Sequence, residues 1–205
     1  AAPLLAYERV HTMLIAPHAG PDPRTVALMD PALRLLARLG IWPGPLAEIS
    51  SPLLHLDMID EMGRIVSAPR LTFSASEVGL EAFGWNIPLG ELIAALRGAV
   101  ARAGVQIING TVLRSENLGA VAAVDTGSGE RYYAEVLVAA DGAESVLRAS
   151  AGIGVDRWAF DQSALVTTFT HSGPHYGVSC ERHRPGGPFT TVPLPGNASS
   201  LVWMA

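Results

Sequence analysis

The residues best placed to do chemistry are Asp141 and Gly142, which follow the apolar run 136–140 and precede Glu144, Ser145 and Arg148. An apolar run of this length reads as a buried strand. Ending it in Asp-Gly puts a carboxylate where open α/β sheets bind ligands, beyond the carboxyl end of a strand. There the carboxylate can accept hydrogen bonds from sugar hydroxyls. Gly142 lets the backbone turn and approach a ligand with no Cβ in the way. Glu144 or Ser145 can open the next helix, whose free N–H groups favour anions. The same residues also make an ordinary strand–turn–helix, because Asp-Gly is a common turn dipeptide. Spacing alone does not separate these readings.

Other constellations carry less. His171 and His175 lie four apart with Cys180 nearby, a set that invites a metal. Gly173-Pro174 between them forbids a helix, so the spacing does not put both on one face, and loop histidines are expected with no metal. Cys180, on a strand-like stretch, is expected to be a packed small side chain. Asp57, Asp60 and Glu61 are read as acids of a hairpin turn. Trp85 and Trp203 are read as core aromatics, with a border to a ring-binding site as the alternative.

The elements that must hold these residues follow from periodicity. Residues 1–8 read as a helix with Pro3 in its first turn, and 10–16 as a buried strand ended by Pro17. A loop is expected over 18–24. Asp30-Pro31 then forms an N-cap and first-turn pair for a helix whose apolar face is Leu28, Ala32, Leu35, Leu36 and Leu39, stopped by Gly40. Residues 53–59 and 64–68 alternate around Glu61-Met62-Gly63 as a hairpin, and 71–74 is a further short strand. Pro88 opens a helix lined by Leu92, Ala95, Leu96, Ala99, Val100 and Ala103, closed by Gly104. Strands follow at 105–108, 111–114, 121–125 and 131–134, then the run 136–140 and a short helix over 145–151. After Gly154 helix signals vanish, and strand-like stretches at 163–170, 177–182, 189–194 and 201–204 predict a mostly antiparallel sheet.

With 205 residues, nearly half of them hydrophobic, the chain can bury a sizeable core. The net charge of −5 and the lack of a basic cluster argue against a nucleic-acid partner. One cysteine precludes an intrachain disulfide and fits a reducing compartment. No apolar run approaches the roughly 18 residues of a membrane-spanning helix. Both ends look cut through secondary structure, so a segment of a longer protein is expected.

Taken in order, these features resemble the FAD-dependent aromatic hydroxylases related to p-hydroxybenzoate hydroxylase, most closely those of ubiquinone biosynthesis. Four stretches carry the resemblance. Arg24-Thr25-Val26-Ala27-Leu28, followed by Leu33 through Trp42, is similar to that subfamily's Arg-Thr-x-Ala-Leu and Leu-x-Leu-Leu-x-x-Leu-Gly-x-Trp. Phe83-Gly84-Trp85 resembles the segment before its third helix. Ala140-Asp141-Gly142 with Ser145 and Arg148 matches its Asp-Gly motif. Gly187 through Asn197, then Ser199 through Trp203, resembles a strand pair of its substrate domain.

The resemblance implies an α/β fold: a Rossmann-like FAD-binding domain (1–50 and 76–154) with an antiparallel β substrate domain (51–75 and 155–205), both incomplete. It implies FAD as cofactor, NAD(P)H as co-substrate, and Arg24, Val112, Asp141, Gly142 and Arg148 as FAD contacts. Asp141-Gly142 would lie beside the riboflavin and pyrophosphate, Arg148 would hold the loop, and Val112 would offer backbone groups near the adenine. The implied reaction is hydroxylation of a small aromatic substrate, a polyprenylated phenol, by a cytoplasmic protein at the inner face of a membrane. Three departures stand out. No Gly-x-Gly-x-x-Gly occurs, Ile15-Ala16-Pro17 stands where the family carries an acid for the adenosine ribose, with Asp22 a weak substitute, and Leu89-Gly90 stands where an Arg often starts the family's third helix. The segment alone is therefore expected to bind FAD poorly. The departures keep open a non-catalytic binding or scaffold subunit, as well as a hydroxylase or halogenase of another aromatic compound.

Overall fold

A computed structural model describes residues 1–18 and 20–205; Ala19, inside the expected loop over 18–24, lies outside the described residues. In chain order the elements are α1 (Ala2–Tyr7), β1 (Met13–Ala16), β2 (Thr25–Met29), α2 (Asp30–Arg38), α3 (Gly44–Glu48), β3 (Ser51–Leu53), β4 (His55–Asp60), β5 (Leu71–Ser74), a 3-10 turn (Ala75–Val78), β6 (Gly84–Pro88), α4 (Leu89–Arg102), β7 (Gln106–Asn109), β8 (Val112–Asn117), β9 (Ala122–Thr126), β10 (Arg131–Ala134), α5 (Val146–Ser150), β11 (Ala164–Thr170), β12 (Val178–His183), β13 (Phe189–Leu194) and β14 (Ala198–Met204). The fold is mixed α/β with mainly antiparallel sheets, in two units: residues 1–19 with 100–160, and residues 20–99 with 161–205.

In the first unit β1 and β7 form a parallel pair, Met13 opposite Gln106 through Ala16 opposite Asn109. β8, β9 and β10 make an antiparallel meander with Ala123 and Val124 buried at its centre. Helix α5 lies against β8, buries Leu147, and receives the Ser115 N–H on the Ser150 hydroxyl at 3.2 Å. Two expectations fail here. β1 is half-buried rather than buried, because β7 is its single ladder partner among the described residues. The run 136–140 joins no sheet among them, and Val136 and Val138 are exposed. Its apolar pattern suits a strand flanked on both edges, and without ladder partners the pattern alone does not make one.

The second unit holds a six-stranded sheet in the order β11-β14-β13-β12-β4-β5 and a three-stranded sheet in the order β2-β6-β3. All neighbours are antiparallel except β12 and β4, which run parallel with Cys180 opposite Asp57. Gly84 sits so close to β2 that a Cβ there would overlap the Leu28 carbonyl. Asn86, fully buried on β6, ties the two sheets together through its amide, which donates to the Pro193 carbonyl (2.9 Å) and the Ser200 hydroxyl (3.3 Å).

The leucine helix starts later than expected. Thr25–Met29 is strand β2, with Leu28 opposite Trp85, and the N-cap is Met29 with Asp30 already in the first turn. The buried face is therefore Leu33, Leu36 and Leu39, while Leu35 is exposed. The expected hairpin exists with a different second arm. β4 pairs with β5, and 64–68 belongs to the connecting loop. Asp60 explains this, because its carboxylate accepts the Met62 and Ala68 N–H groups at 3.0 and 2.9 Å and so closes the loop beyond the strand.

Candidate functional site

The Asp141 carboxylate sits between the run 136–140 and helix α5. It accepts a short hydrogen bond from the Ser145 hydroxyl on one oxygen and the Leu147 N–H at 3.1 Å on the other. Ser145 is the N-cap of α5, and its oxygen accepts the Arg148 N–H at 3.0 Å. The Arg148 guanidinium turns back and donates to the Ala143 carbonyl at 2.8 Å. Asp141 and Ala143 are thus held by the helix that follows them and its cap. The donors on its oxygens, Ser145 first and Leu147 next, keep the Asp141 carboxyl below the usual carboxylate range, so it is ionised at neutral pH.

Gly142 has φ +90°, a conformation that L side chains rarely adopt, and open space lies where a Cβ would stand. Beside it runs a groove of about 660 Å³ whose lining includes Asp141, Gly142, Ser145, Arg148, Leu137 and Ser115. The groove therefore presents an ionised carboxylate, a guanidinium and a backbone without a side chain. That chemistry fits the hydroxyl-bearing and phosphate-bearing middle of a flavin dinucleotide. A carboxylate offers more acceptor positions than the two bonds to α5 use.

Asp141, Gly142 and Arg148 are brought together as the sequence suggested. Val112 opens β8 opposite Thr126, beside a bulge at Leu113, and is not among the residues lining this groove. Arg24 belongs to the second unit. Its exposed guanidinium grips Asp22 through Nε at 2.9 Å and a terminal nitrogen at 2.6 Å, and these bonds lower the Asp22 carboxyl to about 2. The Arg24 carbonyl accepts the Leu89 N–H at 2.9 Å, so the loop is pinned to the first turn of α4.

His171 and His175 are hydrogen-bonded to β14 and β13 beside them. His175 accepts the Gly177 N–H on Nδ1 and reaches the Leu194 carbonyl with Nε2 at 2.9 Å; His171 bridges the Gly173 carbonyl and the Ser199 hydroxyl. Every ring nitrogen is thus already engaged. The acids between β4 and β5 depart from the turn reading. Asp57 lies within β4, is 2% exposed, and accepts from Thr72 (2.5 Å) and from Arg70. Burial pushes its carboxyl up, but the Thr72 and Arg70 bonds outweigh burial and hold it below the ordinary value. An acid inside the strand pattern His55-Leu56-Asp57-Met58-Ile59 was the available signal, because such a position requires a partner. Glu61 takes Arg182 and Arg184, and the Arg184 guanidinium lies 4.6 Å over the Phe189 ring. On the six-stranded sheet Phe189 and Trp203 meet edge to face at 6.0 Å, with Trp203 41% exposed, so Trp203 is not a core residue.

No family model matches the chain. It is 34% identical over 196 residues to the ubiquinone hydroxylase UbiL of Rhodospirillum rubrum, a match covering 90% of this chain and 42% of that protein. It is 28% identical over 186 residues to 3-demethoxyubiquinol 3-hydroxylase of Escherichia coli, covering 89% of this chain and 46% of the relative. The chain thus spans less than half the length of these relatives. Among solved structures, a tetrameric form of 2-methyl-3-hydroxypyridine-5-carboxylic acid oxygenase superposes with a TM-score of 0.77 at 21% identity, over 100% of this chain and 54% of that one. A Klebsiella pneumoniae HpxO variant complexed with FAD gives 0.77 at 16% identity, over 100% and 53%. The resemblance to the ubiquinone-biosynthesis hydroxylases holds across nine-tenths of the chain, and the fold is shared with these structures.

Proposed function

We propose that this chain, a relative of the ubiquinone hydroxylases, is part of an FAD-dependent monooxygenase. It would use NAD(P)H and O₂ to hydroxylate an aromatic ring, a polyprenylated phenol on the way to ubiquinone. The observation that carries this reading is the 34% identity to the Rhodospirillum rubrum hydroxylase across 196 residues. Bound FAD supplies the oxygen chemistry, and the protein supplies binding, orientation and exclusion of water.

In this reading the ionised Asp141 accepts hydroxyls of the cofactor while Ser145 and Leu147 fix its position. Gly142 lets the cofactor approach the backbone, and Arg148 keeps the loop closed through Ala143. Arg24, oriented by Asp22, is a second contact, and Val112 a third through its backbone. We assign the sheet built from segments 51–75 and 155–205 to the aromatic substrate, with Phe189 and Trp203 as its ring-bearing surface. We assign the protein to the cytoplasm, at the inner face of the membrane in which a polyprenylated substrate would reside.

The test is to purify the product of the full reading frame, measure its flavin content, and follow NAD(P)H-dependent hydroxylation of prenylated phenols. Yellow protein and a hydroxylated product are expected. A colourless protein that takes up no FAD removes the proposal. Turnover of a different aromatic compound alone keeps the chemistry and removes the substrate.

A further inference from the structure

The loop between β4 and β5 is closed at its base and apolar at its tip. Asp60 clamps both arms through the Met62 and Ala68 N–H groups, and Arg70 anchors the return by pairing with buried Asp57. Between these anchors Ile65 is fully exposed and Val66 is 83% exposed. Aliphatic side chains held out at a clamped tip cost free energy in water, since burying each one is favourable. The exposed apolar surface continues into the strands, where Met58 lies opposite Leu71 and so shares a sheet face with it, followed two residues on by Phe73.

Charge selects what this tip meets. The three acids of the region are engaged internally: Asp57 by Arg70 and Thr72, Asp60 by backbone N–H groups, and Glu61 by Arg182 and Arg184. Arg70 is committed to Asp57, so the tip's own cation is Arg64, next to Ile65. Two exposed aliphatic residues beside this guanidinium complement the boundary of a bilayer, with acyl chains below and anionic headgroups above.

We propose that the 61–70 loop is a membrane-docking tip, with Ile65 and Val66 entering the interface of an anionic bilayer and Arg64 meeting its headgroups. This rests on the reading above that the substrate is a polyprenylated phenol. The loop belongs to the hairpin arm of the sheet assigned to that substrate, so docking here brings the sheet to the lipid in which the substrate resides.

The experiment is flotation of the full-length protein with vesicles of phosphatidylcholine alone and of phosphatidylcholine with about one-quarter phosphatidylglycerol. Wild type is expected to float with the anionic vesicles. The pair Ile65→Ser with Val66→Ser should lower partitioning roughly tenfold or more. Arg64→Gln should lower it only at low salt, where headgroup attraction is unscreened. Thermal unfolding of each variant should match wild type, because the replaced side chains are exposed. Val66→Trp should show a blue-shifted emission with anionic vesicles, quenched by lipid-borne quenchers. Equal flotation of the double variant, or a tryptophan indifferent to vesicles, overturns the inference, and a tip that instead fits a protein pocket gives this second result. Flavin content is read in parallel. Protein that binds FAD but no vesicles loses the docking tip and keeps the enzyme, and protein that floats without flavin does the reverse.

Discussion

Gly142→Ala separates a turn glycine from one that a cofactor approaches. At φ +90° an added Cβ meets no neighbour, so the penalty is backbone strain alone. Strain for an L residue at positive φ is about 1–2 kcal/mol, and the narrower unfolded ensemble of alanine offsets about 0.4–1 kcal/mol of it. The net loss is therefore about 1 kcal/mol, a fall of roughly 4–8 °C in Tm for a unit of 60–100 residues. Gly129, in the β9–β10 turn, has φ +85° and the same open surroundings, so Gly129→Ala is a matched control. The two variants should lose the same stability. FAD affinity should separate them, because in the proposed assignment a methyl group on Gly142 would stand where the cofactor approaches the backbone. There the dissociation constant should rise at least about tenfold, or about 1.4 kcal/mol, while Gly129→Ala stays at the wild-type value. The assay is flavin fluorescence titration of full-length protein well below the melting temperature. Equal affinities in the two variants would refute the assignment of Gly142 to the cofactor.

Further outcomes follow from the second unit. Asp57 has a folded pKa below its ordinary 3.8, so the stability it contributes is present above about that pH and is lost as pH falls through the lower folded value. Asp57→Asn should cost about 1–2 kcal/mol at pH 7, modest because Arg70 is largely exposed. It should also flatten the acid limb of the unfolding free energy measured by urea titration; an unchanged limb contradicts the pairing. Asn86→Ala strands the buried Pro193 carbonyl and leaves a void, at about 2–4 kcal/mol. Ser200→Ala, which removes the 3.3 Å bond from Asn86 and a 3.4 Å bond to the Val192 carbonyl, should cost less in the same denaturation experiment because both are long.

Much of the fold was readable where one element fixes its own pattern. Strands β10 and β13, helix α4 and the short helix capped by Ser145 lie at or near their expected bounds, because period and stop signals are local. Errors arose where a distant partner decides. Leu28 fits a helical face, yet β6 claims it as a strand residue through Gly84, whose missing Cβ permits the close approach. The second arm of the hairpin was misplaced because Asp60, acting on Met62 and Ala68, draws the chain into a loop before it can pair. Within the candidate site, Asp141, Gly142 and Arg148 were legible as one short motif whose members stay within eight residues. The engagement of Asp22 by Arg24, and of Asp57 by Arg70 and Thr72, depends on side-chain geometry that spacing does not encode.

The single parallel junction in the large sheet, β4 beside β12, joins residues near position 57 to residues near position 180. Everything in the first unit from Val100 to Phe160 is synthesised between them. A ribosome therefore releases β4 and β5 long before the strand that neighbours them exists, and a two-stranded hairpin is marginal alone. The meander and α5 can assemble while the hairpin waits, since their contacts are local. Closure of the large sheet must come late and slowly, as long-range pairings do. Until then the edge of β4 stays unpaired and open to aggregation.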